Sequence, residues 1–382
     1  MTRPLRRVLE GVVGVPATEG NRLDVLRNGD EIFPAMLDAI ASAQHTIDIL
    51  TFVYWTGEIA QRFADSLSER AAAGVRVRVL LDALGAREMK DALVERLTAA
   101  GALVERFRPI SSLKLRNNNH RSHRKVLVCD EEVAFTGGVG IAEEWCGNAR
   151  NAREWRDTHV MVRGPAVDGL RAAFVSNWAE TGRIVLDERD RFPCQPVAGD
   201  AVVQVVRGSA QVGWSDIALS LFAALAEARR TVRITTAYFN PDPLFADLLV
   251  AAVKRGVEVH VLVPGPYADK RVAQLAAEDM YEPLLDAGVH ISCFQPTMLH
   301  AKVVTIDGAT AFIGSANFNG RSLSLDEEVD LVVFDEPTVC LLDRHFEEDL
   351  ECSHTLDPRR WGNRSVAQRS LEKVTRLARR VL

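Results

Sequence analysis

Lysine is scarce in this sequence, and the cysteines do not fall into metal-binding pairs. Of the 46 basic residues, 39 are arginine and only 7 are lysine, so a lysine within a motif is rarely there by chance. The six cysteines include no C-x-x-C pair, which argues against a zinc site and against a dense disulfide framework. We therefore expect reduced thiols, and neither a metal nor another cofactor.

An excess of positive charge and a long apolar run are also absent. The formal net charge is -6 at pH 7, so no global positive field indicates a nucleic-acid partner, although the count leaves room for a local basic patch. The longest apolar stretch, around residues 217–226, is about half the length that a bilayer crossing requires. The basic start of the chain is not followed by the apolar run of a secretory signal. We expect neither a spanning helix nor a signal peptide.

What is present is an ordinary globular composition. Hydrophobic residues make up 47% and charged residues 26%, which excludes a disordered or fibrous chain. The chain has 382 residues. With roughly 100–200 residues in a typical domain, this length predicts two domains or one large duplicated domain.

One unit occurs twice along the chain. Residues 41–85 and 226–265 each run from a β-branched strand through an apolar-periodic helix to a glycine turn and a second strand. Such βαβ units predict an α/β sandwich in each half. The segment near residues 185–200 would join the halves. The expected strands are Thr46 to Phe52, Val75 to Leu81, Thr231 to Tyr238 and Val257 to Val263.

The most similar stretches of the two copies are His123-Arg-Lys-Val-Leu-Val-Cys-Asp130 and His300-Ala-Lys-Val-Val-Thr-Ile-Asp307. Because side chains alternate between the faces of a strand, His123 and Lys125 should point the same way, as should His300 and Lys302. Two copies of this spacing at matching places are far beyond a chance match.

The aspartates that end these stretches are expected to have a different position. Asp130 and Asp307 lie an odd number of residues from the histidine, and therefore on the opposite face of a straight strand. Asp307-Gly308 is also typical of a hairpin turn. We interpret both aspartates mainly as organisers of the turn, with proton transfer as the alternative.

A run of small residues follows each hairpin. The runs are Gly137-Gly138-Val-Gly140 and Gly314-Ser315-Ala-Asn317. Such a loop lets backbone N–H groups approach a phosphate closely, and Ser and Asn side chains add donors.

Two His-Lys pairs without a metal-ligand cluster point to phosphodiester chemistry. Attack on a phosphodiester builds charge on the nonbridging oxygens, which two lysines and an asparagine can stabilise. One neutral histidine would attack phosphorus while the other, protonated, gives a proton to the leaving oxygen. The same acid then becomes the base that activates an alcohol or water.

Three stretches carry a family resemblance: HRKVLVCDEEVAFTGGVGIAEEW, WRDTHVMVRGPAV and HAKVVTIDGATAFIGSANFNGRSLSLDEEVDLVV. The sequence resembles the phospholipase D superfamily, and within it the bacterial cardiolipin synthase-like branch. The resemblance implies two repeated phospholipase D-like α/β/α sandwich domains, packed about a pseudo-two-fold axis with one shared active site and a phosphohistidine intermediate. We expect domains at residues 1–192 and 193–361, followed by a basic amphipathic helix at 362–382.

The resemblance also implies roles for individual residues. It assigns the nucleophile to His123 and the acid/base to His300, with the reverse assignment as the alternative. A carboxylate downstream of each motif would orient its histidine, and a purely structural role for these carboxylates stays open. The first copy departs from the family pattern, because Gly140 stands where Asn is expected and Gly138 replaces Ser. The full set of expected site residues is His123, Lys125, Asp130, His300, Lys302 and Asp307 as catalytic, Asn317 and Ser315 at the phosphate, and Asp157 and Glu328 beside the histidines.

The implied activity is that of a phosphatidyltransferase, which passes a phosphatidyl group to an alcohol acceptor such as phosphatidylglycerol. A phospholipase D-type hydrolase is the alternative, because hydrolysis and transfer share their first step. A nuclease is less favoured because the net charge is -6. A lipid-binding protein with a dead site is disfavoured because both His-Lys pairs are intact.

A phospholipid substrate requires contact with a membrane, and we expect peripheral association with its inner, cytoplasmic face. The segment from Gly362 to Leu382 holds six basic residues against one Glu, with apolar residues at helical spacing. It would either lie on an anionic membrane or dock on the protein. Trp145, Trp155 and Trp178 are interpreted as packing residues, with a substrate platform as the alternative.

Overall fold

The computed structural model describes residues 4–109, 119–209, 215–270, 274, 278 and 280–362. In these residues, helix α1 (Leu5–Val13) precedes two successive copies of one α/β unit. The predicted fold class is thereby confirmed. The boundaries proposed at 192/193 and 361/362 stay predictions, and the expected C-terminal helix lies, apart from Gly362, outside the described residues. No described helix has both the length and the apolar character needed to cross a bilayer.

The first copy contains seven strands and four helices within the described residues: β1 Thr18–Arg27, α2 Asn28–Ser42, β2 Thr46–Thr51, α3 Glu58–Ala72, β3 Arg76–Asp82, α4 Asp91–Ala99, β4 Leu103–Phe107, β5 Val126–Cys129, β6 Val133–Gly137, β7 Thr158–Arg163 and α5 Ala166–Ala179. A short 3-10 turn, Glu143–Trp145, lies between β6 and β7.

The second copy repeats the order of the strands and adds a short C-terminal pair of elements. Its elements are β8 Ala201–Gly208, α6 Asp216–Glu227, β9 Thr231–Thr235, α7 Pro243–Lys254, β10 Glu258–Pro264, α8 Tyr281–Asp286, β11 His290–Phe294, β12 Val303–Ile306, β13 Thr310–Gly314, α9 Gly320–Ser324, β14 Glu328–Val333, α10 Glu336–Glu351, β15 Ser353–Thr355 and α11 Pro358–Gly362. The strands predicted from periodicity are present in both copies, with ends shifted by one to three residues.

All 15 strands of the described chain form one sheet, in the order β15-β11-β10-β9-β12-β13-β14-β8-β1-β7-β6-β5-β2-β3-β4. The copies join where β1 pairs antiparallel with β8. Apart from β15, the order is the same when it is counted outward from that pair in either direction. This arrangement is the pseudo-two-fold relation that the resemblance implied.

Burial on both faces explains the apolar character of the central strands. Every residue of β2 (TIDILT) is buried, because helices cover both faces of the sheet. One core cluster draws residues from both copies, among them Val128, Trp178, Ile313 and Leu331. Full burial of each large apolar side chain contributes roughly 1.5–3 kcal/mol, so the shared cluster holds the copies together.

The sheet also fixes where the two motifs lie. Strand β5 runs antiparallel to β2 with Val126 opposite Leu50, so the residues before β5 lie at the carboxyl end of β2. In the second copy Val303 lies opposite Thr235 of β9 in the same way. The His-Lys pairs therefore precede their strands and are not part of them, which differs from the prediction of strand residues.

Candidate active site

The two histidine segments are held by backbone hydrogen bonds that cross between the copies. The N–H of His123 donates to the carbonyl of Glu327 at 2.8 Å, and the N–H of His300 donates to the carbonyl of Arg156 at 2.7 Å. Glu327 directly precedes Glu328, and Arg156 directly precedes Asp157. Each histidine is therefore bound to the residue next to a carboxylate of the other copy.

The histidine side chains also bind partners in the other copy. His123 Nδ1 lies 2.9 Å from Oε1 of Glu328, and His300 Nδ1 lies 2.8 Å from Oδ2 of Asp157. The expectation that each carboxylate orients the histidine of its own motif is therefore wrong. Asp157 directly precedes β7 and Glu328 is the first residue of β14. These two strands flank the central β8–β1 pair, so both carboxylates face the other copy.

Both lysines are buried against their histidines. Lys125 Nζ donates to the carbonyl of His123 at 2.7 Å. Lys302 Nζ donates to the carbonyl of His300 and lies 3.0 Å from its Nδ1. Burial lowers the pKa of Lys125 to about 7 and the pKa of Lys302 to about 8. The predicted pairs of one histidine and one lysine are thus brought together in each copy.

Burial and the lysine charges act on the histidines in the same direction. Burial, followed by the charges of Lys125 and Lys302, lowers the pKa of His123 well below its usual range. Burial and the charge of Lys302 lower the pKa of His300 to about 4, although the hydrogen bond that His300 donates to Asp157 opposes this shift. Without a bound anion, both imidazoles favour the neutral form.

The two carboxylates differ in their proton affinity. Burial raises the pKa of Glu328 to about 7, although the charge of Lys125 opposes the shift. Burial acts on Asp157 in the same direction, but its hydrogen bond with His300 and the charge of Lys302 oppose burial, and the pKa of Asp157 is lowered. The two His-carboxylate pairs are therefore chemically unequal.

The motif aspartates bind backbone at the other end of the strands. Asp130 accepts hydrogen bonds from the N–H groups of Gln44, His45 and Thr46 at 2.7–2.9 Å. Asp307 accepts the same kind of bond from residues 229–231. Neither aspartate lines the pocket. Their inclusion among the catalytic residues is corrected, and the organiser interpretation agrees with these contacts.

Of the two residues expected to bind the phosphate, one lines the pocket and the other does not. The hydroxyl of Ser315 is fully buried and donates to Glu328 at 2.5 Å, so it supports the carboxylate and does not reach the pocket. Its assignment to the phosphate is corrected. Asn317 does line the pocket, and its buried Oδ1 has no hydrogen-bond partner among the residues that the structure describes.

Comparison with known proteins decides the family. Residues 36–160 and 221–350 match the family model described as cardiolipin synthase, PLD-like domain. The chain belongs to this branch of the phospholipase D superfamily. The predicted resemblance is confirmed, and each matched segment contains one His-Lys pair.

The similarity extends over nearly the whole chain. Cardiolipin synthase 1 of Bacillus cereus is 32% identical, in an alignment that covers 98% of this chain and 75% of the relative. Cardiolipin synthase of Geobacillus thermodenitrificans is 34% identical, with the same coverage. The crystal structure of phosphatidylserine synthase from Haemophilus influenzae Rd KW20 shares the fold, with a TM-score of 0.71, 14% identity and coverage of 99% of this chain and 100% of that one.

The first copy of this phospholipase D-like chain has no room for a Ser side chain at position 138 or an Asn side chain at position 140. A Cβ at Gly138 would lie 2.2 Å from Oδ1 of Asp157, and a Cβ at Gly140 would lie 2.6 Å from the Cβ of Val53. Both distances are far below contact range. The first copy therefore offers the phosphate fewer side-chain donors than the second, as the sequence predicted.

The pocket between the motifs has one aromatic and one polar wall. Trp178 packs in the core against Phe174, whereas Trp145 and Trp155 line the pocket. The first copy contributes an aromatic wall consisting of Phe52, Trp55, Trp145 and Trp155. The second contributes a polar wall that includes Tyr238, Asp269, Lys270, Arg321 and Asp326.

Sequence reasoning missed most of these wall residues. The scarcity of lysine was a usable signal for Lys270, because it is one of only 7 in the chain. Phe52 and Tyr238 follow the equivalent strands β2 and β9, which also places them at the same end of the sheet. Nothing in the motif spacing indicated Asp326 or Arg321.

Proposed function

We propose that this protein is a phosphatidyltransferase that cleaves a phospholipid phosphodiester and passes the phosphatidyl group to an alcohol, such as the headgroup hydroxyl of phosphatidylglycerol. One observation carries the proposal. In a member of the cardiolipin synthase-like family, a single pocket is lined by both motif histidines, by Lys125 and by Asn317. Behind the histidines lie their carboxylate partners and the buried Lys302. The two Bacillus and Geobacillus relatives compared above are cardiolipin synthases.

In the first step, His123 attacks phosphorus through Nε2, because Nδ1 is engaged by Glu328. A bond forms between Nε2 and phosphorus, and the bond from phosphorus to the leaving oxygen breaks. His300 Nε2 gives its proton to that oxygen, so glycerol leaves as a neutral alcohol. The product is a phosphatidyl group on His123.

In the second step, His300 removes the proton from the acceptor hydroxyl. The alkoxide attacks phosphorus, and the bond to His123 breaks. Lys125, Lys302 and the amide of Asn317 stabilise the nonbridging oxygens in both steps, because their donors are fixed before charge develops.

The inequality of the two pairs supports His123 as the nucleophile and His300 as the acid/base. A nucleophile must be neutral, and burial with the charges of Lys125 and Lys302 keeps the pKa of His123 well below its usual range. An acid needs a partner that favours its protonated form, and Asp157 is the carboxylate whose pKa is lowered. A bound phosphodiester anion also offsets the lysine charges that otherwise lower the pKa of His300.

The aromatic wall supports transfer over hydrolysis. Transfer requires that water does not reach the phosphohistidine before the alcohol does. Trp145 and Trp155 pack against His300 with ring centroids 5.1 and 5.5 Å away, so apolar ring surface flanks the base.

We further propose peripheral contact with the inner face of an anionic membrane. A phospholipid substrate resides in a bilayer. The basic composition of residues 362–382 supports attraction to anionic lipid.

The test is to incubate the purified protein with phosphatidylglycerol vesicles and to identify the products by mass spectrometry. Cardiolipin and glycerol, absent with His123→Ala and with His300→Ala but retained with His354→Ala at an exposed position, are the expected result. Phosphatidic acid instead of cardiolipin would make the protein a hydrolase. No lipid product, with cleavage of a nucleic acid instead, would overturn the substrate class.

A further inference from the structure

Two hydrogen bonds converge on one oxygen of Asp157. His300 Nδ1 lies 2.8 Å from Oδ2, and the indole Nε1 of Trp145 donates to the same oxygen at 2.8 Å. The backbone N–H of Thr158 donates to Oδ1 at 2.8 Å. Trp145 is fully buried, and its ring meets the His300 imidazole edge-on at a centroid distance of 5.1 Å. The indole therefore contacts both members of the pair.

The second copy supports its carboxylate with a different donor. Ser315 Oγ donates to Glu328, but the corresponding residue of the first copy is Gly138, which has no side chain. Trp145 supplies the missing donor from the turn that follows. Gly140 makes room for it, because a Cβ there would lie 3.3 Å from Cη2 of Trp145.

The two donors do not have the same chemistry. An indole N–H can only donate, so it favours the ionised carboxylate at all times. The Ser315 hydroxyl also lies 3.3 Å from the carbonyl of Val329, so it can turn its proton there and accept one from Glu328. Only the carboxylate of the first copy is tied to its charged form.

We propose that Trp145 is a positioning residue that holds Asp157 ionised and thereby makes His300, and not His123, the acid/base of the reaction. The inference rests on the proposed function, since it concerns which imidazole protonates the leaving group.

Leaving-group dependence separates this role from simple packing. When glycerol leaves phosphatidylglycerol, its oxygen takes the proton from His300 as the bond to phosphorus breaks. When p-nitrophenolate leaves phosphatidyl-p-nitrophenol, the same bond breaks without proton transfer. A weaker acid therefore slows the first release and spares the second.

The test compares single-turnover release of glycerol and of p-nitrophenol by Trp145→Phe, which keeps a ring and removes the N–H. We expect glycerol release to fall at least about tenfold and p-nitrophenol release to change by less than about threefold. The ratio of the two rates in one preparation does not depend on the folded fraction. Asp157→Asn should shift the ratio further in the same direction.

Trp155→Phe is the matched control, because its ring packs against the same imidazole at 5.5 Å. Its ratio should equal that of the wild type. Equal losses with both esters, no loss with either, or the same ratio in both tryptophan variants would overturn the role of Trp145. A wild-type enzyme that cleaves neither ester would instead overturn the proposed function, and the inference with it.

Discussion

The carboxylate of Glu328 lies 2.9 Å from Nδ1 of His123, although 205 positions and a copy boundary separate the two residues. Glu328 is fully buried and also accepts a hydrogen bond from the Ser315 hydroxyl. Its pKa is raised to about 7, mainly by burial. The bond fixes the imidazole with Nε2 toward the pocket, so the nucleophile of one copy depends on the other.

Glu328→Gln should abolish most of the activity while the fold persists. The amide keeps the size of the side chain but can present its NH₂ to Nδ1, which disfavours the required tautomer. We expect kcat to fall by about 10²–10⁴-fold, as for other orienting carboxylates. Glu336→Gln, on the exposed first turn of α10, is the matched control. An unchanged kcat in a correctly folded Glu328→Gln protein would contradict the orienting role.

The pH dependence of kcat/KM should be bell-shaped. On the acid side His123 must lose its proton to attack, and its pKa is well below 6.5, so this limb lies at low pH. On the alkaline side an ammonium group is present below its pKa and is lost as pH rises. Three groups must stay protonated, namely the acid His300, with a pKa of about 4, and Lys125 and Lys302, with pKa values of about 7 and about 8. The value of kcat/KM should therefore decline as pH rises through these pKa values. A short-chain soluble ester measures the profile, and a rate that keeps rising beyond pH 9 would refute this assignment.

Activity should withstand a chelator. Two lysines and an asparagine supply the charge stabilisation that a divalent ion supplies in other phosphodiesterases. Incubation with EDTA, followed by the phosphatidylglycerol assay, should leave kcat unchanged. Loss of activity that a divalent ion restores would count against a histidine and lysine mechanism.

Asp130→Ala should weaken the fold more than the chemistry. Asp130 accepts three backbone hydrogen bonds at the end of the sheet remote from the pocket. Loss of its charged acceptor should lower the free energy of unfolding by about 1.5–3 kcal/mol. Denaturant unfolding measures this change, with Asp200→Ala at an exposed site as the control. Complete inactivation of a protein with normal stability would return Asp130 to the catalytic set.

Removal of residues 363–382 should weaken binding to anionic vesicles. Each basic residue near an anionic surface contributes about 1 kcal/mol, so the loss should be largest at low salt. Turnover of a short-chain soluble substrate should be retained. Vesicles of neutral phosphatidylcholine serve as the control. If cosedimentation with phosphatidylglycerol vesicles is unchanged, the segment does not provide the membrane contact.

The copies and their motifs could be predicted because the signals are local. β-Branched runs and helical periodicity marked strands such as β2 and β9, and the repeated spacing of His123 and Lys125 marked the chemistry. The small residues at Gly138 and Gly140 were predicted to let the backbone approach a phosphate, and this stays a prediction. The short Cβ distances there are to Asp157 and Val53, within the protein itself.

The partners within the site could not be predicted, because they depend on how the halves meet. Sequence order suggested that Asp157 would serve His123, yet the β1–β8 pairing turns each carboxylate toward the other copy. The hydroxyl of Ser315 was expected at the phosphate. Motif spacing does not reveal that the buried carboxylate of Glu328 lies next to this hydroxyl and accepts its hydrogen bond. Trp145 had no distinguishing signal, because a buried packing residue and a hydrogen-bond donor have the same periodicity.

The exchange of carboxylates has an evolutionary consequence. A chain with a single copy would carry half of each pair and could complete them only as a symmetric dimer, in which both histidines must have identical surroundings. Fusion keeps the two halves at a fixed, high effective concentration and removes that constraint. Gly138 with Trp145 in the first copy, and Ser315 in the second, are a difference that the two halves of one chain can carry but that the identical chains of a symmetric dimer cannot.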